Sequence, residues 1–227
     1  MTPITVLLVE DHAIVREGLR LLLKHERDIE VVGEAETGRQ AVTLTRKLKP
    51  AVVVMDIAMP LLNGLEATRQ IRQEVPECKV LVLSAHSDDA YVDQMMDLGA
   101  SGFLLKQSAS SMLVAAIREV HKGNTFFSPA VSKRIQRRNQ TALDRGGQVK
   151  KKGNRLSSRE VEVLQLIAEG RPNKQVAEEL GISFKTVDKH RQHLMTKLDI
   201  HDTAGLTRYA ISTGIIENSV QLTIIQQ

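Results

Sequence analysis

The chain lacks a second cysteine. Cys78 stands alone among 227 residues, which excludes an internal disulfide framework and suits a reducing compartment. It also lacks any apolar run near the roughly 20 residues needed to cross a bilayer as a helix. Its opening, Met-Thr-Pro-Ile-Thr-Val-Leu-Leu-Val-Glu-Asp, has neither a basic start nor a small-residue cleavage site, so no secretory signal is expected. These absences point to a cytoplasmic protein with no membrane partner. What is present fits a globular chain, with 42% hydrophobic and 26% charged residues. The length allows one large domain or two ordinary ones.

Charge divides the chain. Residues 1–127 hold 14 Lys+Arg against 17 Asp+Glu, a net −3, while residues 128–227 hold 17 against 10, a net +7. An acidic module followed by a basic one that can meet phosphate backbones is the expectation, with a merely solvated basic surface as the bland alternative.

The most informative stretch is Ala51–Gly64, Ala-Val-Val-Val-Met-Asp-Ile-Ala-Met-Pro-Leu-Leu-Asn-Gly. An uninterrupted apolar run from Val52 to Met55 reads as a strand buried on both faces, as in a parallel sheet. Asp56 follows at once, where open α/β sheets hold their ligands. The pattern repeats along the first half. Strands are expected at Ile4–Val9, Ile29–Gly33, Ala51–Met55, Val80–Leu83 and Phe103–Leu105. Helices are expected after Asp11, then at Gly38–Leu48, Leu65–Gln73, Asp88–Leu98 and Ser110–Lys122. Five such alternations predict right-handed crossovers and a doubly wound, five-stranded parallel sheet. That topology gathers Glu10, Asp11, Asp56, Ser84 and Lys106 at one edge.

These residue types suggest a reaction. Three close carboxylates repel one another and favour a hard divalent cation, and Mg²⁺ needs only one or two of them beside waters and phosphate oxygens. A carboxylate facing a bound phosphoryl donor can attack phosphorus in line and become an aspartyl-phosphate. Lys106 would offset the charge of the transferring group, and the Ser84 hydroxyl would donate a hydrogen bond to it. His12 and His86 lie on the same edge and read as loop residues rather than ligands, because such a site calls for oxygen.

This constellation resembles the receiver domain of two-component response regulators. The resemblance covers residues 4–122 through Val-Glu-Asp at 9–11, Asp56 with Pro60 and Gly64, Ser84-Ala85, and Gly-Ala-Ser-Gly-Phe-Leu-Leu-Lys at 99–106. It implies a flavodoxin-like sheet with Asp56 as the phosphoacceptor. Glu10, Asp11, Asp56 and the Ala58 backbone carbonyl would hold Mg²⁺; Ser84 would be the switch hydroxyl, Phe103 the switch aromatic and Lys106 the phosphoryl-contacting lysine. A lone aromatic on a strand is more often core, which is the competing reading of Phe103. Many receivers carry Pro after the lysine; Gln107 stands here.

Residues 128–153 read as a basic, flexible linker, with Val131 and Ile135 on one face of a short helix near its start and too few apolar residues for a core. Beyond it, residues 154–220 read as a small all-α domain of four helices. Ser157 and Glu160 form a capping box ahead of Val163, Leu164 and Ile167. Asn173–Leu180 and a longer helix from Ser183 to about Leu198 flank a Gly-Ile-Ser turn, a helix-turn-helix arrangement. Thr203 to about Ser212 closes the unit. Leu-Ser-Ser-Arg-Glu at 156–160, Asn-Lys-Gln-Val-Ala at 173–177 and Thr-Val-Asp-Lys-His-Arg at 186–191 are similar to the NarL/LuxR-type output domain. Together the halves resemble a NarL-type response regulator. That implies a sensor histidine kinase as donor, promoter double-stranded DNA as target and a homodimer on phosphorylation.

Within this resemblance Lys185, Thr186, Asp188, Lys189 and Gln192 fall on the DNA-reading helix. Lys189 suits guanine or phosphate, Gln192 adenine and Asp188 cytosine, whereas Asn173, Lys174 and Arg191 read as phosphate contacts. An enzyme of the phosphatase class, the rival hypothesis, needs a general acid near the nucleophile. The position two residues after Asp56 is Ala58, which has no proton to give, so turnover is not expected. A receiver without phosphorylation control is disfavoured because every pocket position is filled.

Overall fold

The computed structural model describes residues 2–85, 98–129, 131–132 and 156–216. The expected helix over 88–98 lies almost entirely outside the described residues, as do His86 and residues 130 and 133–153 of the expected linker.

The first half is a parallel sheet built from β1 (Ile4–Val9), β2 (Ile29–Ala35), β3 (Val52–Asp56), β4 (Lys79–Ser84), β5 (Gly102–Leu105) and β6 (Phe126–Phe127). The strand order is β2-β1-β3-β4-β5-β6. Between them run α1 (Ala13–Lys24), α2 (Gly38–Leu48), α3 (Gly64–Glu74) and α4 (Lys106–His121). Strand side chains alternate between faces. Leu7, Val9, Val53, Met55, Val80 and Val82 therefore pack with Ala41, Val42, Leu65, Ala67 and Ile71 of α2 and α3. Val6, Leu8, Val52, Val54, Leu81 and Leu83 pack on the other face with Leu19 and Leu23 of α1 and Leu113, Ile117 and Val120 of α4. Burial on both faces is what made these strands read as continuous apolar runs.

Three details depart from the sequence expectation. A sixth strand, β6, pairs parallel with β5 and is too short to carry a periodic signal. Past it, Val131 is fully buried in the sheet's core, so the start of the expected linker packs against the first domain. The last helix of this domain also starts four residues early, at Lys106 itself. With Gln107 in place of proline, nothing bars the preceding residue from helical dihedrals, so no loop separates Lys106 from α4.

The second half holds α5 (Ser158–Ala168), α6 (Asn173–Leu180), α7 (Phe184–Leu198) and α8 (Thr203–Ser212). The expected capping box is present: the Ser157 side chain accepts from the Glu160 N–H, and the Glu160 carboxylate accepts from the Ser157 N–H at 2.7 Å. Gly181 ends α6 in the left-handed region, where glycine carries no steric penalty. Ser183 then caps α7 by accepting from the Thr186 N–H, and Asp202 caps α8 by accepting from the Gly205 N–H. Val163, Leu164, Ile167, Val176, Leu180, Val187, Leu194, Leu206 and Ala210 form one small core.

Candidate functional site

The neighbouring strands β1 and β3 mark the point where the strand order reverses, the place where open α/β sheets form a crevice at their carboxyl ends. Their register pairs Val9 with Met55, so the next residue on each chain, Glu10 and Asp56, emerges at the same edge. Both are buried, at 0% and 2% exposure. The backbone must also pass closely here. A β-carbon on Gly64, the first residue of α3, would lie 1.9 Å from the Asp56 carbonyl oxygen, so only glycine lets α3 start against the strand end.

Two buried carboxylates side by side demand a cation. The Lys106 ammonium lies 2.8 Å from Glu10 Oε2 and 3.0 Å from Asp56 Oδ1. Burial still dominates Asp56, with the Glu10 charge adding to it; together they outweigh Lys106 and push the Asp56 carboxyl up to about 7. Burial pulls Lys106 down, but the Asp56 and Glu10 carboxylates outweigh it, so its net shift is upward. The second Asp56 oxygen, Oδ2, is buried without a hydrogen-bond partner among the described residues. Asp11 sits half-buried beside them, and the exposed His12 ring reaches Asp11 at 2.9 Å and Glu10 at 3.1 Å. The adjacent Asp11 charge raises the His12 pKa more than burial lowers it, with Glu10 reinforcing the rise.

The sequence-selected pocket residues therefore share one edge. Ser84 ends β4 and is buried, in register with Leu105 of β5. Phe103 is fully buried in the core, packed among the residues of the α2/α3 face. Glu10, Asp11 and Asp56 offer hard oxygen donors, and the unpartnered Asp56 Oδ2 leaves one of them free to ligate, so the residues present fit a divalent cation.

Beginning 78 residues after Lys106, the pocket's last member, α7 presents the other candidate surface. Lys185, Lys189 and Gln192 are exposed, as is Lys174 at the start of α6, while Thr186 and Asp188 are half-buried. The Asp188 carboxylate accepts from Gln192 Nε2 at 3.2 Å, one turn along the helix. Thr186 and Ser183 share a hydroxyl contact of 2.8 Å. Arg191 is tied inward: its guanidinium donates to Asn173 Oδ1 at 3.2 Å and to the Thr203 hydroxyl, linking α7 to the starts of α6 and α8. Sequence reasoning treated Arg191 and Asn173 as phosphate contacts and did not find this brace. It also passed over Phe184, the first residue of α7, which is 57% exposed; a large aromatic beside a capping serine is the signal that was there to find.

Comparison with known proteins follows the same division. The model of the "Response regulator receiver domain" matches residues 6–118, and that of "Bacterial regulatory proteins, luxR family" matches residues 154–210. The transcriptional regulatory protein LiaR of Bacillus subtilis (strain 168) is 39% identical over 207 residues, covering 91% of this chain and 96% of that protein. The chain belongs to the response regulators with a LuxR-type output domain. These are transcription regulators with a DNA-binding helix-turn-helix. Two solved structures share the architecture of this response regulator. The RcsB–DNA complex matches with TM-score 0.58 at 28% identity, over 93% of this chain and 99% of that one. A structure of two RcsB dimers bound to two parallel DNAs matches with TM-score 0.57 at 29% identity, again over 93% and 99%. Among the described residues, no helix is long and apolar enough to cross a membrane.

Proposed function

We propose that Asp56 accepts a phosphoryl group from the phosphohistidine of a sensor kinase and that the modified chain binds promoter DNA as a homodimer in the cytoplasm. The observation that carries this reading is the buried Glu10–Lys106–Asp56 bridge with Asp56 Oδ2 left unpartnered. Asp56 ends β3, and its Oδ2 has no hydrogen-bond partner among the described residues, which leaves that oxygen available as the nucleophile. Glu10, Asp11, Asp56 and the Ala58 carbonyl would hold a Mg²⁺ ion, which supplies positive charge that keeps Asp56 ionised and neutralises phosphoryl oxygens. Asp56 then forms the O–P bond as the donor P–N bond breaks. Lys106 would transfer its ion pair from Asp56 to the phosphoryl group, and Ser84 would donate its hydroxyl to it. Ala58 offers no acid for hydrolysis, so the aspartyl-phosphate is stored and no small molecule is turned over.

The added charge is about −1.5 to −2 at neutral pH. Moving the population from mostly off to mostly on needs about 5.5 kcal/mol of differential stabilisation, which phosphoryl contacts and pairing on two half-sites would share. Lys185, Lys189, Gln192 and Lys174 are the exposed groups that would meet DNA, with domain limits near 1–127 and 154–220. Resemblance to the RcsB–DNA complex and to paired RcsB dimers supports the DNA and dimer parts. The test is phosphate uptake from acetyl phosphate with Mg²⁺. Wild type should gain acid-labile phosphate and Asp56→Asn should gain none; undiminished uptake in that variant places the acceptor elsewhere.

A further inference from the structure

The loop that follows Asp56 is not closed by the receiver alone. Three of its backbone groups find their partners on α5, the first helix of the output domain, and on Glu169 at its C-terminal cap. Gln165 Nε2 donates to the Met59 carbonyl at 2.9 Å, and Gln165 Oε1 accepts from the Asn63 N–H at 2.8 Å. Glu169 accepts from the Leu61 N–H at 3.0 Å. Gln165 also donates to Glu169 at 2.8 Å, so the two side chains act together. Both ends of the Gln165 amide are thus used on one loop, the NH₂ as donor and the oxygen as acceptor, and the residue is 0% exposed.

The receiver holds part of this loop itself: Met59 N–H reaches Ile57, Leu62 N–H reaches Pro60, Gly64 N–H closes onto the Ile57 carbonyl at 2.8 Å and Gly38 N–H holds the Leu62 carbonyl at 3.1 Å. The Leu61 and Asn63 N–H groups are instead satisfied by the output domain. Leu61 has φ +69, in the left-handed region that bulky side chains avoid, and its side chain packs against the output domain's core. Asn63 caps α3 and donates through Nδ2 to the Ile215 carbonyl just beyond α8, at 2.9 Å. Around this centre Arg39 pairs with Glu179 at 3.1 Å and Gln70 donates to Glu162 at 2.9 Å. The contacts fall on α5, α6 and the turn after α8, while Lys185, Lys189 and Gln192 of the recognition helix stay exposed.

We infer that Gln165, although it belongs to the DNA-binding domain, is a positioning residue for phosphoryl acceptance: it holds the phosphorylation loop in its resting form. This rests on the assignment of Asp56 as phosphoacceptor. The Ala58 carbonyl belongs to the peptide just before the one whose carbonyl Gln165 holds, so only the φ and ψ of Met59 separate the two, and fixing one peptide narrows the orientations open to the other. The grip coexists with Lys106 lying between Glu10 and Asp56, the arrangement in which lysine alone neutralises the pocket. Coupling between two binding events is reciprocal. Freeing the loop therefore makes Asp56 easier to phosphorylate, and phosphorylation loosens α5 from the receiver.

The experiment compares full-length wild type, Gln165→Ala and Gln165→Glu, the last keeping an acceptor for Asn63 but no donor for Met59. Acetyl phosphate at half-saturation is measured with Mg²⁺, alongside hydrogen exchange of the Leu61 and Asn63 amides with and without Mg²⁺ and beryllofluoride. Both variants should need about fivefold less acetyl phosphate, and beryllofluoride should raise exchange at both amides in wild type. A residue that merely stabilised the fold would lower the melting temperature and leave half-saturation in place. If Gln165→Ala does not fold, Leu61→Gly tests the same coupling, since glycine accepts φ +69 and lacks the side chain that reaches the output core; it should shift half-saturation the same way. Half-saturation within twofold of wild type in all folded variants overturns the inference while leaving Asp56 intact. Failure of wild type to take up phosphate overturns the Asp56 assignment and this inference together.

Discussion

The carboxylate pocket and the recognition helix are built in opposite ways. Glu10 and Asp56 are buried, set by strand register, and held by one lysine and by a glycine whose place no β-carbon can share. Lys185, Lys189 and Gln192 stand in solvent on a helix whose position is secured by residues they do not touch, the Arg191–Asn173–Thr203 brace. A buried charge site has to be finished by the protein itself, because burial leaves no solvent to complete it. A reading surface is completed by DNA. Substitutions should therefore damage stability at the pocket and binding at the helix.

The sharpest contrast is steric. Gly64→Ala forces a β-carbon onto the Asp56 carbonyl and should cost more than about 3 kcal/mol of stability, whereas Lys185→Ala should stay within about 0.5 kcal/mol; urea denaturation of both measures it. Equal costs would break the comparison.

Next comes pH. The Asp56 carboxyl moves from 3.8 in the unfolded chain to about 7 in the folded one. A raised pKa means that the folded state holds the proton more tightly, so this stabilisation is complete below about 4 and is lost as pH rises through about 7. In chelator, wild type should lose on the order of 3 kcal/mol relative to Asp56→Asn between pH 4 and pH 8. Parallel pH profiles for the two proteins would show that Asp56 is not the strained group.

The helix side is tested with a duplex selected in vitro from random sequence. Lys189→Ala should weaken binding by about 1–3 kcal/mol if it reads a base, with folding stability unchanged. Smallest of all, Arg191→Ala should lower stability by about 1 kcal/mol through loss of its two hydrogen bonds, while the salt dependence of DNA binding keeps its slope. A slope reduced by about 1 would return Arg191 to phosphate contact.

The same contrast explains what the sequence disclosed. Strand ends are legible because unbroken runs such as Val52–Met55 and Ile4–Val9 mark doubly buried strands, and topology then places Glu10 beside Asp56 without any tertiary knowledge. The capping box of Ser157 and Glu160 was equally visible, since capping is local chemistry. Strand β6 was not, because two residues carry no period. Nor was the start of α4 at Lys106, which turned on one missing proline. The grip of Gln165 on Met59 and Asn63 joins residues more than 100 positions apart, and the Glu162–Gln165–Glu169 stripe reads in sequence as an ordinary solvated face. Partners at that separation leave no trace in spacing.

One titration tests the central claim that a charge stored at Asp56 governs the DNA-binding half. Full-length protein is titrated onto the selected duplex at fixed salt, with and without Mg²⁺ and beryllofluoride, for wild type and Asp56→Asn. The account predicts at least about tenfold tighter binding by beryllofluoride-treated wild type, equivalent to roughly 1.4 kcal/mol, and no response from Asp56→Asn. Equal affinity of wild type in both conditions would contradict it.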